Sequence, residues 1–489
     1  MTAVARQQRS PLTHLVLLAA LLGGANTTWA LPDHLAVPAT NLWTQQPVTF
    51  SLDRYSLRAA NYQVRIYSDA TNFAVIPASQ LPEVTTYRGR IPADPGAMVV
   101  GAFDTGGNFV YVVTYGCREV NSGAMDPYDT TSRLIWGGWG TSVPTTNIPS
   151  VGYTYAYQSN QPATITWATN NYPVNTTNYG GPPSLNGFQK VPVQRVRLIQ
   201  DMTRECFLNS CGSNINYAIM MQESRVNEMD YLEARDFGIC YQLVCICIRP
   251  YTDAPFTSAG NNRLTDLRIY WQADPGWAGD YGQNAGAGFD MAQGTMNLGG
   301  GVAFAPGDFC ITDPGLNGNV QAHETGHNWG AGDVTSQYDY TGENSWHHIM
   351  TGSGYGHSTE IVNRAIGIRH YGEYYKSATY MEWVKYNSPI APWATPDFAT
   401  TRTNQPVTVN VLLNDHCANS NTLSVVSFET NTPAGGFVTN LGNGLLHYTP
   451  PAGFVGYDWF HYYVGEGTGL KSLSEAHVRV GNDNDPLLA

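Results

Sequence analysis

His323 and His327 stand four residues apart, a spacing that brings two imidazoles to one face of a helix and lets them share a metal ion. Glu324, beside His323, cannot comfortably join the same ion, but its carboxylate can reach a water there, where a general base for hydrolysis stands. Gly330 then ends the helix. A residue free to take positive φ lets the chain reverse and bring back Asp333 as a third ligand. Two imidazoles and one carboxylate suit zinc, which in such an open site acidifies water and polarises a carbonyl. A bare His-Glu-x-x-His also arises by chance, so Gly330, Asp333 and the downstream Ile349, Met350, Thr351 and Gly352 give the pattern its weight. Other side chains that could replace Asp333 are His347, His348, Glu343 and Glu360. The two histidines read equally as loop residues near a cleft. A glutamate ligand would come from a separate downstream helix, which the reversal at Gly330 makes unnecessary.

The elements that must position these residues fall in a mixed α/β region over 191–395. Strand-like runs occupy 193–199, 240–248 and 267–271, a helical period runs through 215–234, and a Gly-rich stretch over 276–301 precedes the motif helix. Residues 299–304 read as an edge strand to which an extended peptide could add, or as a plain loop. Ahead of this region, 31–120 alternates like strands at 64–67, 84–87 and 109–114, and 121–190 is a Gly- and Pro-punctuated linker. Strict alternation returns at 407–411, 423–428, 445–448 and 459–464, predicting a β-sandwich over 398–481.

Residues 1–30 carry Arg6 and Arg9, an apolar run over 15–22 and a small-residue end at Ala30, the layout of a secretory signal peptide. That run is far short of the roughly 20 residues that span a bilayer, so the expectation is an exported chain, extracellular, periplasmic or at the cell surface, that does not cross a membrane. A net charge of −13 argues against nucleic acid or an anionic membrane surface as partner. Eight cysteines in an exported chain predict disulfides, although eight allow 105 pairings and the sequence does not choose among them. Cys245 and Cys247 lack the two-residue gap usual for a thiolate zinc site.

The extended motif with Met350 resembles the metzincin zinc peptidases, in which a tight turn places a Met beneath the metal. Within that clan, about 200 residues are similar to the reprolysin-like (adamalysin-type) enzymes. Val226, Asn227, Glu228, Met229 and Asp230 resemble their long helix, and Phe289, Asp290, Met291, Gly301, Ala303 and Cys310 resemble the segment ahead of the active-site helix. The resemblance implies an α/β (α+β) metzincin catalytic domain with a mixed sheet and active-site helix, with zinc held by His323, His327 and Asp333, Glu324 as general base, and Met350 as support from below. Most of these relatives have a third His where Asp333 stands, although snapalysins use Asp. An anionic ligand lowers the site's net positive charge, which predicts activity shifted toward higher pH. Tyr355 follows the Met350 turn, where a tyrosine of the astacin-type relatives stabilises the tetrahedral intermediate; a cleft-wall residue is the plainer reading.

The run Tyr87, Arg88, Gly89, Arg90, Ile91, Pro92, Ala93, Asp94, Pro95 resembles reprolysin propeptides, which implies a β-rich inhibitory prodomain over 31–120; the other reading is a β domain that stays attached. A propeptide Cys can cap the zinc in that family, and Cys117 is the candidate, without the usual neighbours of such a switch. Val411, Leu412, Leu413, Asn414 and Asp415, with Tyr448, Thr449, Pro450, Phe454, Gly456, Asp458, Phe460, Tyr462 and Val464, resemble bacterial immunoglobulin-like or cadherin-like modules, which implies adhesion or spacing. Calcium could sit in a loop such as 482–485, where acidic residues are more often only solvated. The expectation is an exported, multidomain zinc endopeptidase acting on proteins or peptides. The competing class is a noncatalytic adhesin or binding protein on a protease-like scaffold, against which an intact Glu324 argues.

Overall fold

A computed structural model gives the architecture over residues 31–40, 47–103, 109–114, 193–236, 238–278, 288–305, 307–315, 318–329, 333, 349–351, 382–384, 386, 388–394, 397–413, 415, 417–419, 421–467 and 469–482. The signal peptide, the linker over 121–190, Cys117, Gly330, Glu343, His347, His348, Tyr355, Glu360 and most of the 482–485 loop lie outside these described residues.

Five strands near the N-terminus, β1 (His34–Thr40), β2 (Pro47–Arg54), β5 (Thr86–Ile91), β6 (Asp94–Phe103) and β7 (Phe109–Thr114), pair antiparallel in the order β1-β2-β5-β6-β7. Phe50, Leu52, Tyr87, Ile91, Val99 and Val113 fill a core of their own. The intervening β3 (Arg58–Tyr67) and β4 (Phe73–Val75) leave this sheet and join the next one.

That second sheet is built on β8 (Val193–Met202), which runs parallel between β9 (Ile239–Ile248) and β10 (Met291–Thr295). β9 is almost wholly buried and largely apolar, Gln242 being the exception, as suits a strand covered on both faces. On one side β10 pairs parallel with β12 (Phe309–Thr312), which carries the antiparallel border strand β11 (Gly301–Ala303). On the other, β9 pairs parallel with β3, and β4 closes that border. A short strand β13 (Glu382–Val384) pairs with the start of β8. The order β11-β12-β10-β8-β9-β3-β4 is a mixed sheet.

Four helices are described: α1 (Arg204–Asn209), α2 (Ile215–Asp236), α3 (Asn262–Gln272) and α4 (Asn319–Asn328). α2 is buried on almost every side because it packs against β9, β6 and α4 together. Its polar residues are therefore paired. Arg88 of β5 donates to Asp230 Oδ2 at 2.7 Å and to the side chain and carbonyl of Asn227, and its guanidinium lies 3.7 Å from the Tyr55 ring centroid. Arg58 and Tyr62 of β3 both donate to Glu223.

The C-terminal unit is a two-layer sandwich. Strands β14 (Asp397–Arg402), β16 (Ser424–Phe428), β19 (Gly456–Gly465) and β20 (Lys471–Gly481) form the sheet β14-β20-β19-β16. β15 (Val407–Asn410), β17 (Phe437–Gly442) and β18 (Leu445–Thr449) form the sheet β15-β18-β17. Val411, Leu446, Tyr448, Phe460, Tyr462, Val464, Ala476 and Val478 are buried in it. Tyr448 spends its hydroxyl on Asp458 at 2.8 Å, so the buried carboxylate is not left bare.

Three sequence expectations need correction. Residues 267–271 are not a strand: Leu264, Leu267 and Trp271 form a buried helical stripe on α3 while Ile269 is 62% exposed. The boundary at 120 does not separate an N-terminal unit from the central sheet, because β3 and β4 are strands of that sheet, with Val64 and Ile66 buried in its core. The expected disulfides are absent among the described residues, where Cys206, Cys211, Cys240, Cys245, Cys247, Cys310 and Cys417 are buried thiols. Three of these share the single strand β9, and the sulfurs of Cys245 and Cys247 lie 3.5 Å apart. Burial pushes the Cys206 thiol up to about 11 and those of Cys211 and Cys417 up to about 12, which leaves them inert packing groups.

Candidate metal centre

α4 begins where it does because Gly318 fits under α2: a Cβ there would come within 2.4 Å of the Arg225 carbonyl oxygen. The Gly318 amide donates to Glu228 Oε2 at 2.9 Å, setting a carboxylate at the positive end of the helix. The far end is held by Trp329, fully buried, whose Nε1 donates to Tyr241 Oη at 3.0 Å. Midway, the Thr325 hydroxyl meets Glu233 of α2, and Asn328 donates to the carbonyls of Phe304 and Phe309 at 3.0 Å each.

With α4 so fixed, one face presents His323 and His327, their ring centroids 4.8 Å apart. Their Nε2 atoms lie 3.2 and 3.4 Å from Asp333 Oδ1. These three side chains are the one group of three or more potential ligands that converges among the described residues, with ligand atoms within 4.8 Å of one another. The Nδ1 of His323 is bonded to the Ile349 carbonyl at 2.8 Å. A carbonyl only accepts, so Nδ1 carries the proton and Nε2 keeps its lone pair toward Asp333. Burial pushes the His323 pKa down, which favours the neutral ligand form. Ile349 opens a 3-10 turn (Ile349–Thr351) in which Met350 is buried against the core.

Glu324 is buried beside this cluster. Its Oε2 has no hydrogen-bond partner. Burial, with the negative charge of Asp333 adding to it, pushes the carboxyl up to about 8. The border strand β11 crosses directly over it: a Cβ at Gly301 would lie 2.4 Å from Glu324 Oε1 and 2.5 Å from its Cγ. The position of β11 is set from α2. Arg225 reaches across to Thr295, Thr312 and the Asp313 carbonyl, while the Asp313 carboxylate accepts from the amides of Leu298 and Gly300.

The donor set fits zinc on its own chemistry: two imidazole nitrogens and a carboxylate oxygen on one side, and an orphaned carboxylate oxygen nearby to receive a water's hydrogen. His323, Glu324, His327, Asp333 and Met350 are thus brought to one place. Glu233, Tyr241 and Gly301 belong to the same site and were not singled out for these roles by sequence. Glu233 offered one signal, a carboxylate between Leu232 and Ala234 in a helix with apolar neighbours.

Residues 387–480 match the family model of a bacterial Ig domain, so the C-terminal sandwich is an Ig-like domain within a β-rich multidomain protein. No curated protein matches the chain. Among solved structures, the chain is similar to a chaperone–substrate complex at 16% identity and a TM-score of 0.25, covering 37% of this chain and 35% of that one. It is similar to metalloproteinase-II from Bacteroides fragilis at 11% identity and a TM-score of 0.27, covering 71% of this chain and 94% of that one. A PKD domain is similar at 20% identity and a TM-score of 0.15, covering 21% of this chain and 97% of that one. The chain thus spans about a third of the length of the first of these.

Proposed function

We propose that the chain is an exported zinc-dependent endopeptidase of metzincin type. The observation that carries this reading is the convergence of His323, His327 and Asp333 beside a buried Glu324 whose Oε2 is unpartnered. His323, His327 and Asp333 would hold the ion. When bound, zinc supplies Lewis-acid chemistry, lowering the pKa of water and polarising a carbonyl. Glu324 would take a proton from water at its carboxylate and hand it to the leaving amine, a role suited to a carboxyl whose proton affinity is raised by burial. Ile349 orients His323, and Met350 backs the turn that carries it. β11, as the sheet border lying over Glu324, offers backbone groups to which an extended peptide could add as a further strand. The Ig-like domain would serve binding to a surface or matrix.

Glu324→Gln tests the reading. The variant is expected to keep one zinc per chain and to lose cleavage of a denatured protein by about 10²- to 10⁴-fold. Equal proteolysis by the two forms removes Glu324 from the mechanism, and absence of zinc from both removes the metal.

A further inference from the structure

Behind the metal-binding face of α4, opposite the cleft, lies a run of hydrogen bonds in which no atom belongs to a metal ligand. The Trp329 indole donates to Tyr241 Oη at 3.0 Å, and Tyr241 donates to Glu233 Oε2. Glu233 Oε1 meets the Thr325 hydroxyl, which lies 2.7 Å from the Gln321 carbonyl oxygen. The single hydroxyl proton of Thr325 suits the Gln321 carbonyl, which can only accept, so the proton between Thr325 and Glu233 sits on the carboxyl. Every group in the run is then satisfied if Glu233 is a neutral acid. Its surroundings agree: full burial, with the charges of Asp236 and Asp230 adding to it, pushes the carboxyl up to about 8.

The residue this run grips is informative. Thr325 lies between His323 and His327 in sequence and points to the other side of α4, toward α2. Trp329 caps the same helix. Gripping both fixes the rotation of α4 about its own axis, and with it the direction in which both imidazoles aim. A carboxyl buried in the last turn of α2 is otherwise a poor choice for stability, since an apolar residue of similar size would fill the place without desolvating a polar group.

We infer that Glu233 is a positioning residue for the metal site, holding Thr325 and, through Tyr241, Trp329 so that the imidazoles of His323 and His327 converge on one ion. This rests on the metal reading of the cluster and assigns it a support that no ligand supplies. Outer groups of this kind typically change metal affinity by about 10- to 100-fold.

Cobalt(II) is the probe, because its visible bands report ligand geometry without any need for peptide cleavage. In titrations of the full chain, Glu233→Ala is expected to weaken cobalt binding by about 10-fold or more and to move the bands. Thr325→Val, which removes only the hydroxyl, is expected to shift the bands the same way, and the two changes together to go little further than Glu233→Ala alone. Glu233→Gln, which keeps a neutral donor and acceptor, is expected to restore most of the affinity. Wild-type bands and affinity in Glu233→Ala overturn the inference and leave Glu233 a packing group. If Glu233→Ala does not fold, unchanged bands in Thr325→Val overturn it instead. A wild-type chain that takes up no cobalt overturns the metal reading itself, and the inference with it.

Discussion

The Nδ1 nitrogen of His323 lies 2.8 Å from the carbonyl oxygen of Ile349, so α4 and the turn carrying Met350 share a hydrogen bond. The tautomer of His323 is thereby set by the backbone of a segment 26 residues away. Met350 is 1% exposed. Met350→Ala should cost about 2 to 5 kcal/mol in unfolding free energy and loosen the carbonyl's hold on His323. Met350→Leu, which nearly conserves volume, should cost less than about 1.5 kcal/mol. Urea denaturation of both variants checks this, and equal losses would mean that the site under the helix is not tightly packed.

Gly301→Ala puts a methyl group where Glu324 already stands. The obstructing atoms include Cγ, not only the tip of the carboxylate, so the side chain has to swing or β11 has to retreat. Displacement of a reacting group by about 1 Å can cost on the order of 100-fold in rate. On the proposed reading, the expected outcome is a loss of that size in kcat with zinc content unchanged, since the atoms an added Cβ meets first all belong to Glu324. Unaltered turnover would show that β11 yields freely.

Arg88 and Asp230 are both essentially excluded from water, and each would be left as an uncompensated charge by removal of the other. Arg88→Met should therefore destabilise the chain by about 3 to 5 kcal/mol. Combining it with Asp230→Asn should cost less than the sum of the two single changes, because the second removes the charge the first stranded. Additive losses in chemical denaturation would argue against the pairing.

Glu233 gives a pH dependence whose sign is fixed. An unfolded glutamate releases its proton near 4.5, whereas the buried one holds it up to about 8. Below 4.5 both states are protonated and the associated stability is fully present; from there it declines as pH rises toward 8, because the folded state binds the additional proton. Glu233→Gln carries no such proton. Its stability should fall less between these pH values than that of the wild type, as read from urea midpoints, and parallel curves would remove Glu233 as the source.

The legible part of the site was the part written in one helix. His323 and His327 are neighbours by the helical repeat alone, and Asp333 needs only a local reversal to reach them. Glu233 and Gly301 come to α4 from other elements, through packing that no local period encodes. The strand β3 was visible as a strand, but its parallel pairing with β9 joins residues far apart in the chain, so the sheet it belongs to was not. At 267–271 the short apolar run fits both repeats, and the buried Leu264 one helical turn earlier decides for the helix. The cysteines were read from compartment; burial among core residues settles their state instead.

The two borders of the central sheet have different fates. β11 lies against Glu324 at one border, while β3 and β4, the arm formed by residues 58–75, lie at the opposite margin. What the arm covers is the hydrogen-bonding rim of β9, a strand that is almost wholly buried and largely apolar. Excising that arm would bare a long sticky margin of the kind that recruits other chains into aggregates.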